Sequence, residues 1–314
     1  CSGGITGSVS RWCEKRRTHE DGSDARKNES STGKDGFMDP VKRFFDEWAE
    51  FYDADYRDQD IGDVDFYLEL AREADGPVLE IGCGTGRVYL ELLRADVDAY
   101  GIDISQEMLD VLEQKAAEAG LTPHVRQADM RRFEPQREYA LVIVPFRTFL
   151  HNITLADQQQ TLRNLYRALG SDGQLALNFF PPNFEIICDT YGEPQTRVVE
   201  QGGDDYTVTT VTELVDDIEQ VVEERRTLER NTEVRREATF RLTLVSKREF
   251  ELLLETTEWS EWTVFGGFDR EPVEDATQEL VWIAEVSSDD LDVICSNEFG
   301  NLSLTKHLDR PIRK

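Results

Sequence analysis

The chain has 314 residues, of which 39% are hydrophobic and 32% are charged, and its formal net charge is −29. This length is enough to bury a full core in one large α/β domain with an elaboration. No apolar run approaches the length of a membrane-spanning helix, and no segment resembles a secretory signal, so we expect a cytoplasmic protein. The five cysteines have no paired spacing, which indicates neither a disulfide framework nor a zinc site.

The acidic charge is concentrated in the middle of the chain. Residues 38–287 contain only three lysines, and arginine supplies nearly all of their positive charge. Acid-rich, lysine-poor surfaces suit a cytoplasm of very high salt, in which charge repulsion is screened over short distances. We therefore interpret the composition as halophilic. The negative electrostatic field of such a surface also disfavours binding to nucleic acid, which is a polyanion.

The two ends of the chain differ from this middle. Residues 1–37 mix Gly, Ser, Thr, Asn and scattered charges without periodicity, which is typical of a disordered extension. Met38 is the first methionine and the acidic bias begins there, so our hypothesis is that Met38 is the natural start. The bias stops after Ser287, and residues 288–314 are predicted to be a loose tail. The predicted folded domain is 38–287.

Two helices are predicted before the first strand. Asp39 and Pro40 supply an N-cap and a first-turn proline. Four aromatic residues then recur at helical spacing: Phe44, Phe45, Trp48 and Phe51. The next stretch, 52–57, is aromatic and charged but not periodic, which suits a lid. A second helix is predicted at about 62–74.

The chain is organised around residues 78–87, VLEIGCGTGR. Apolar residues and an acid lead into a loop with glycine at every second position, and helix-forming residues follow at once, so the pattern predicts a strand, a tight turn and a helix. Glycines permit positive φ and bring a ligand close to the unpaired N–H groups of the helix, so such a loop can cradle a nucleotide-like ligand. The dinucleotide fingerprint G-x-G-x-x-G would need glycine where Arg87 stands, which weakens an NAD interpretation. A glycine-rich turn without a ligand is the plainer alternative.

The next predicted strand, 97–103, ends in Asp103. An acid at this strand end can accept hydrogen bonds from both hydroxyls of a ribose. The alternative is that Asp103 or Ser105 caps the helix predicted over 105–119, although capping needs only one of them.

The third and fourth predicted strands cover 123–130 and 138–145. Asp129 lies near the end of the third, whereas the fourth is continuously apolar, as a central parallel strand should be. The fourth strand runs into the stretch 145–152, PFRTFLHN. In a doubly wound sheet this carboxyl end opens onto the reaction site.

The rest of the domain is predicted to complete the sheet around an insertion. A helix over 155–169 and a fifth strand over 174–180 come first. Residues 195–245 are β-rich with turn signals, which indicates an antiparallel meander inserted after the fifth strand. The final predicted elements are a helix and two strands, at 246–257, 262–266 and 279–286.

The pattern Glu80-x-Gly82-x-Gly84-x-Gly86, followed by Asp103 and Asp129 at two successive strand ends, resembles class I S-adenosylmethionine (SAM) dependent methyltransferases. The resemblance is to the small-molecule type, including the domain 25 and 11 groups, and it covers roughly 38–287. It implies a Rossmann-like, doubly wound α/β sheet of seven strands in the order 3-2-1-4-5-7-6, with the last strand antiparallel. The implied SAM-binding residues are Glu80, Gly82, Cys83, Gly84, Gly86, Asp103, Ile104, Asp129, Met130, Val144 and Tyr56.

Within that resemblance, Asp103 would bind the ribose, Asp129 would bind the exocyclic amine of adenine, and Met130 would pack on the ring. The N-terminal helix and its tyrosine-bearing segment would close over SAM, which makes Tyr52 and Arg57 further candidate contacts beside Tyr56. For each of these three, ordinary core or surface packing is an equal alternative.

The stretch after the fourth strand resembles the P-F-R-[ST]-F-x-H sequence of a subgroup of these enzymes. Phe146, Arg147 and His151 are therefore the substrate-side candidates, and Arg147 and His151 the tentative catalytic pair. Arg147 can bind a carboxylate or phosphate, and His151 can take a proton from an amine or hydroxyl. A His151 that only packs or caps the next helix is the alternative.

The implied reaction is in-line transfer of the SAM methyl group to a nitrogen or oxygen of a small molecule, with no metal required. One alternative is a SAM-binding regulatory or assembly protein without turnover. A nucleic-acid methyltransferase is disfavoured because the prolines of 178–184 follow the fifth strand rather than the fourth. Related enzymes place such β insertions over the substrate pocket or at a dimer contact, so a homodimer stays open.

Overall fold

Eleven strands run through the part of the chain that the computed structural model describes, residues 39–57, 61–259 and 261–286. They are β1 (Val78–Ile81), β2 (Ala99–Asp103), β3 (His124–Gln127), β4 (Tyr139–Val144), β5 (Leu169–Phe179), β6 (Gln195–Gln201), β7 (Asp204–Asp216), β8 (Val221–Arg230), β9 (Glu233–Thr243), β10 (Glu261–Phe265) and β11 (Leu280–Glu285). The predicted extension 1–37, the proposed start at Met38 and the predicted tail 288–314 lie outside these ranges.

Seven of the strands form one sheet in the order β3-β2-β1-β4-β5-β11-β10. The first five are parallel, whereas β11 is antiparallel to both β5 and β10. Numbered within this sheet alone, the order is 3-2-1-4-5-7-6, so the predicted Rossmann-like fold is confirmed. The central strands are apolar because helices cover both faces of the sheet and two buried clusters fill the space between.

Seven α-helices and one 3₁₀ helix accompany the strands in the described ranges. The α-helices are α1 (Pro40–Tyr56), α2 (Asp63–Glu73), α3 (Tyr89–Arg94), α4 (Gln106–Glu118), α5 (Leu155–Ala168), α6 (Phe184–Thr190) and α7 (Lys247–Glu255), and the 3₁₀ helix is Thr148–His151. Side-chain N-caps begin several of them, including the capping box of Ser246 and Glu249. None of the helices in these ranges is both long and apolar enough to cross a membrane.

Strands β6 to β9 form a separate antiparallel sheet, which we call the second sheet. It corresponds to the meander predicted from 195–245. A third apolar cluster joins it to α1, with Phe44 and Trp48 of the helix packed against Leu228 and Phe240 of the sheet. The helix therefore connects the second sheet to the rest of the fold.

One local prediction was wrong. The stretch 52–56 is not an irregular lid, because α1 continues through it to Tyr56. Tyr52 and Tyr56 are one helical turn apart, and the polar residues between them hid that periodicity. Asp55 in particular is 3% exposed, since ion pairs satisfy it inside the structure.

Candidate functional site

A cavity of about 400 Å³ lies where the carboxyl ends of β1, β2 and β4 face the second sheet. Most of the predicted site residues line it: Glu80, Gly82, Cys83, Gly84, Asp103, Ile104, Asp129, Met130, Tyr56, Arg147 and His151. Two of the implied SAM-binding residues do not. Gly86 faces Leu90 and Leu112, and Val144 is fully buried in the core.

The glycine loop takes the left-handed conformation that its composition predicts. Gly82, Gly84 and Gly86 have φ of +70°, +52° and +89°. A Cβ on Gly82 would stand 2.6 Å from Cγ2 of Thr148, which opens the 3₁₀ helix after β4. The absence of a side chain at Gly82 thus lets the loop after β1 and the turn after β4 approach each other at the cavity.

Asp103 holds the glycine loop and the start of α4 together. One carboxylate oxygen accepts from the N–H of Gly84 at 2.9 Å, and the other accepts from the N–H of Ser105 at 2.8 Å. Ser105 itself caps α4, because its Oγ accepts from the N–H of Met108. The capping role therefore falls to Ser105, and each oxygen of Asp103 keeps a further lone pair for a ligand hydroxyl.

Two buried carboxyl groups, those of Glu80 and Asp103, dominate the electrostatics of the part of the cavity formed by the ends of β1 and β2. Burial raises the pKa of Asp103 to about 6. Burial also raises the pKa of Glu80 well above its usual range, and one oxygen of Glu80 has no hydrogen-bond partner among the described residues. A buried polar atom without a partner is costly, so Glu80 fits a bound molecule that donates an N–H or O–H to it.

Asp129 already accepts hydrogen bonds from Arg131. It accepts from the backbone N–H of Arg131 at 2.9 Å and from the Nη2 of the same residue at 2.8 Å. Arg131 also pairs with Asp39, the N-cap of α1. An adenine amine would share Asp129 with this arginine, while Met130 lines the cavity beside it.

The turn after β4 is strained and firmly held. Phe146 and Arg147 both have positive φ, at +54° and +68°, which is unusual for residues other than glycine. Asn178 of β5 accepts from the N–H of Phe146 at 2.9 Å and donates to Glu279. Glu279 in turn accepts from the Nε of Arg147 at 2.7 Å. This chain of bonds fixes both candidate residues at the edge of the cavity.

His151 packs between two aromatic rings at the end of the 3₁₀ helix. Its ring centroid is 5.3 Å from that of Phe45 and 5.6 Å from that of Phe240. Nδ1 lies 3.3 Å from the carbonyl oxygen of Arg241, and burial lowers the pKa of His151 to about 4. The imidazole is thus neutral at physiological pH. It does not cap α5, because Thr154 does so.

The aromatic end of α1 closes one side of the cavity. The rings of Tyr52 and Tyr56 are 4.5 Å apart, and Tyr56 meets Phe146 at 5.4 Å. Asp53, between them in the chain, accepts from the hydroxyl of Thr85 at 2.6 Å and so ties α1 to the glycine loop. Arg57 is exposed, pairs with a glutamate of β6 and does not line the cavity.

The sequence analysis missed a buried ionic cluster in the second sheet. Arg226 is 5% exposed and pairs with Asp55 and Glu224 at 2.6 Å each, while Arg197 pairs with the same Asp55. Trp48 donates to Asp55 as well. The alternation of polar and apolar residues along these strands was visible in the sequence. The sequence did not indicate which face of the strands would meet α1 and the cavity.

Part of the chain is similar to known methyltransferases. Residues 78–173 match the family model described as a methyltransferase domain. A glycine/sarcosine N-methyltransferase of Halorhodospira halochloris is 30% identical over 151 residues, which are 48% of this chain and 55% of that protein. The chain thus spans about half the length of the curated relatives it matches.

Two solved structures share the fold at low sequence identity. A SAM-dependent methyltransferase from Clostridium acetobutylicum has a TM-score of 0.63 and 16% identity, covering 78% of this chain and 99% of that one. A sugar N-methyltransferase from Streptoalloteichus has a TM-score of 0.60 and 20% identity, covering 85% and 100%. The family match thus covers 78–173, and the two solved structures share the predicted fold.

Proposed function

We propose that the protein is a SAM-dependent methyltransferase that transfers a methyl group to a nitrogen or oxygen of a small molecule. The observation that carries this proposal is the shared cavity. The glycine loop and Asp103 bound it on one side, and Phe146, Arg147 and the second sheet bound it on the other. A cofactor and an acceptor held there would meet in a space from which the aromatic rings exclude water.

The cofactor half has the groups that SAM requires. Gly82 and Gly84 leave the backbone open to a ligand, Asp103 has acceptor capacity for ribose hydroxyls, and the unpartnered oxygen of Glu80 can accept from an amino group. When bound, SAM supplies an electrophilic methyl group on a sulfonium. The chain itself would then contribute alignment and desolvation rather than covalent chemistry.

His151 is suited to move a proton when the acceptor carries one on its nucleophile. Its contact with the carbonyl of Arg241 favours the tautomer with hydrogen on Nδ1, which leaves Nε2 as an acceptor in the cavity. A pKa of about 4 keeps the ring neutral but makes it a weak base. Its role would thus be to orient the nucleophile and relay its proton.

A small acceptor fits this cavity better than a nucleic acid does. A cofactor of nucleoside size takes up much of a 400 Å³ cavity, and the net charge of −29 repels polyanions. The glycine/sarcosine and sugar N-methyltransferases among the similar proteins support nitrogen as the methylated atom. The lysine-poor acidic composition supports a protein that works at high salt.

Equilibrium titration in molar potassium chloride tests the proposal. We expect SAM and its demethylated product, S-adenosylhomocysteine, to bind with dissociation constants on the order of micromolar. NAD should not bind, and Asp103→Ala should weaken SAM binding. Absence of SAM binding would refute the proposed function. SAM binding without methyl transfer to any small amine or alcohol would instead favour a regulatory protein.

A further inference from the structure

Among the residues that the structure describes, the cavity lining has no cation in excess of its carboxylates. Five arginines line it, and six carboxylates pair with them. The pairs are Arg87 with Asp63, Arg131 with Asp129 and Asp39, Arg147 with Glu279, Arg197 with Asp55, and Arg226 with Asp55 and Glu224. Glu80 and Asp103 add two acidic side chains to the same lining. An acceptor that carries a carboxylate or phosphate would lose its hydration without gaining an unpaired cation.

The second sheet presents uncharged polar groups to the cavity instead. Thr210 and Thr212 line it from β7, and Gln195 lines it from β6. In the sheet register, Thr210 stands beside Gln195 on one side and Arg226 on the other. Residues two apart in a strand share a face, so these side chains form one polar patch next to the ionic cluster.

Glu224 adds an acceptor to this patch. Thr212 stands opposite Glu224 in the register. The hydrogen bond that Glu224 accepts from Nε of Arg226 and its ion pair with Nη2 both involve the same oxygen, Oε1, at 2.6 Å. The Oε2 atom retains its capacity to accept. Tyr56 and Tyr191 line the cavity as well, and aromatic rings favour cationic or neutral amines over anions.

We infer that the methyl acceptor is a small amine that bears hydroxyl groups and no carboxylate or phosphate. Thr210 and Thr212 bind its hydroxyls, and Glu224 accepts from its amino group. This inference rests on the proposed function. In the reaction, the nitrogen lone pair forms the new N–C bond, the S–C bonding pair returns to sulfur, and the proton released from nitrogen passes to Nε2 of His151.

Matched pairs of acceptors test the substrate class. Aminoethanol and glucosamine are compared with glycine and glucosaminuronic acid, in each of which a carboxylate replaces a hydroxymethyl group. We expect kcat/KM to be at least about tenfold higher for the amino alcohol or amino sugar of each pair. Equal or higher values for the carboxylates, or no transfer to either hydroxyl-bearing amine, would overturn the inference.

Two isosteric variants test the residues. Thr210→Val and Thr212→Val should each raise the KM for the accepted amine by about five- to tenfold, the size of one lost hydrogen bond. Both should leave S-adenosylhomocysteine affinity unchanged. Thr209→Val is the control, because Thr209 lies on the same strand but bonds Thr196 and does not line the cavity. An unchanged KM in both test variants would show that the two threonines do not bind the acceptor.

A binding measurement separates this inference from the proposed function. The accepted amine is titrated into the S-adenosylhomocysteine complex by calorimetry, and the titration is repeated with Glu224→Gln. We expect weaker amine binding in that variant and unchanged product affinity. If neither SAM nor its product binds the native protein, the proposed function fails. If they bind but the carboxylate acceptors are preferred, only the present inference fails.

Discussion

The two halves of the cavity are built in different ways. The cofactor half consists mainly of short segments at the ends of parallel strands, where Asp103 bonds the N–H groups of Gly84 and Ser105. The acceptor half is assembled from residues far apart in the chain. Asp55 of α1 meets Arg226 of β8 across 171 positions, and Arg147 meets Glu279 across 132.

The sheet thus fixes the cofactor half, whereas docking of distant segments fixes the acceptor half. A parallel sheet brings the ends of its strands to one edge whatever the rest of the chain does. The acceptor half depends on how α1 and the second sheet dock, and buried ion pairs hold that docking. Cofactor binding and acceptor binding should therefore respond to different substitutions.

The largest effect is expected at Asp55. Replacing it with alanine leaves two guanidinium groups and the indole N–H of Trp48 without their shared acceptor, so the free energy of unfolding should fall by about 3–5 kcal/mol. Denaturant unfolding at a fixed high salt concentration measures this loss of stability. Asp204→Asn, which removes an exposed pair with Arg230, is the control and should cost under about 1 kcal/mol. Equal losses would show that the buried cluster does not hold the second sheet.

Gly82→Ala should disrupt the cofactor half. The new Cβ meets Thr148 at 2.6 Å and sits at φ +70°, so we expect SAM affinity to fall by about tenfold or more. Gly120→Ala is the control, since Gly120 has the same φ with nothing within 4 Å of a Cβ. It isolates the backbone strain and should leave SAM affinity unchanged. Titration with SAM measures the affinity of both variants. Full affinity in Gly82→Ala would mean that the loop tolerates a side chain.

Asp103 should make SAM binding depend on pH. Because its pKa is raised to about 6, the carboxyl becomes protonated as the pH falls below 6 and can then accept fewer hydrogen bonds. We expect SAM affinity to drop by about tenfold between pH 7 and pH 5. By the same linkage, protonation stabilises the unliganded fold in the window between pH 6 and the ordinary value of 3.8.

Asp103→Asn is the matched variant for that pH dependence. It cannot titrate, so its SAM affinity should be lower and nearly flat over the same pH range. A native-like slope in this variant would assign the pH dependence to another group.

The smallest effect is expected at Ser105. Ser105→Ala removes the N-cap of α4, which should lower the free energy of unfolding by about 1 kcal/mol while SAM affinity stays unchanged. Thermal unfolding and SAM titration together check this. A parallel loss of SAM affinity would mean that capping and ribose binding are not separate roles of Ser105 and Asp103.

Much of the cofactor half could be predicted from the sequence. The alternate glycines of 82–86 and the acids at strand ends are local signals, and the family resemblance that they carry implied the strand order. Even here Gly86 and Val144 face the core, since periodicity does not reveal which side of a loop or strand a ligand approaches. The predicted nonperiodic lid at 52–57 proved to be helix through Tyr56, and its Asp55 is buried and paired with distant arginines that the sequence pattern could not show.

The sequence by itself determined the parallel sheet, the glycine loop and the positions of Glu80, Asp103 and Asp129, because these depend on contacts between neighbouring residues and adjacent strands. Only the tertiary structure decided that the second sheet faces the cavity and that Arg226, Arg197 and Glu224 belong to its lining. An ion pair between residues far apart in the chain forms only when docking of the second sheet and α1 brings the two charges together. The alternation of polar and apolar residues along a strand defines two faces but does not reveal which one is buried.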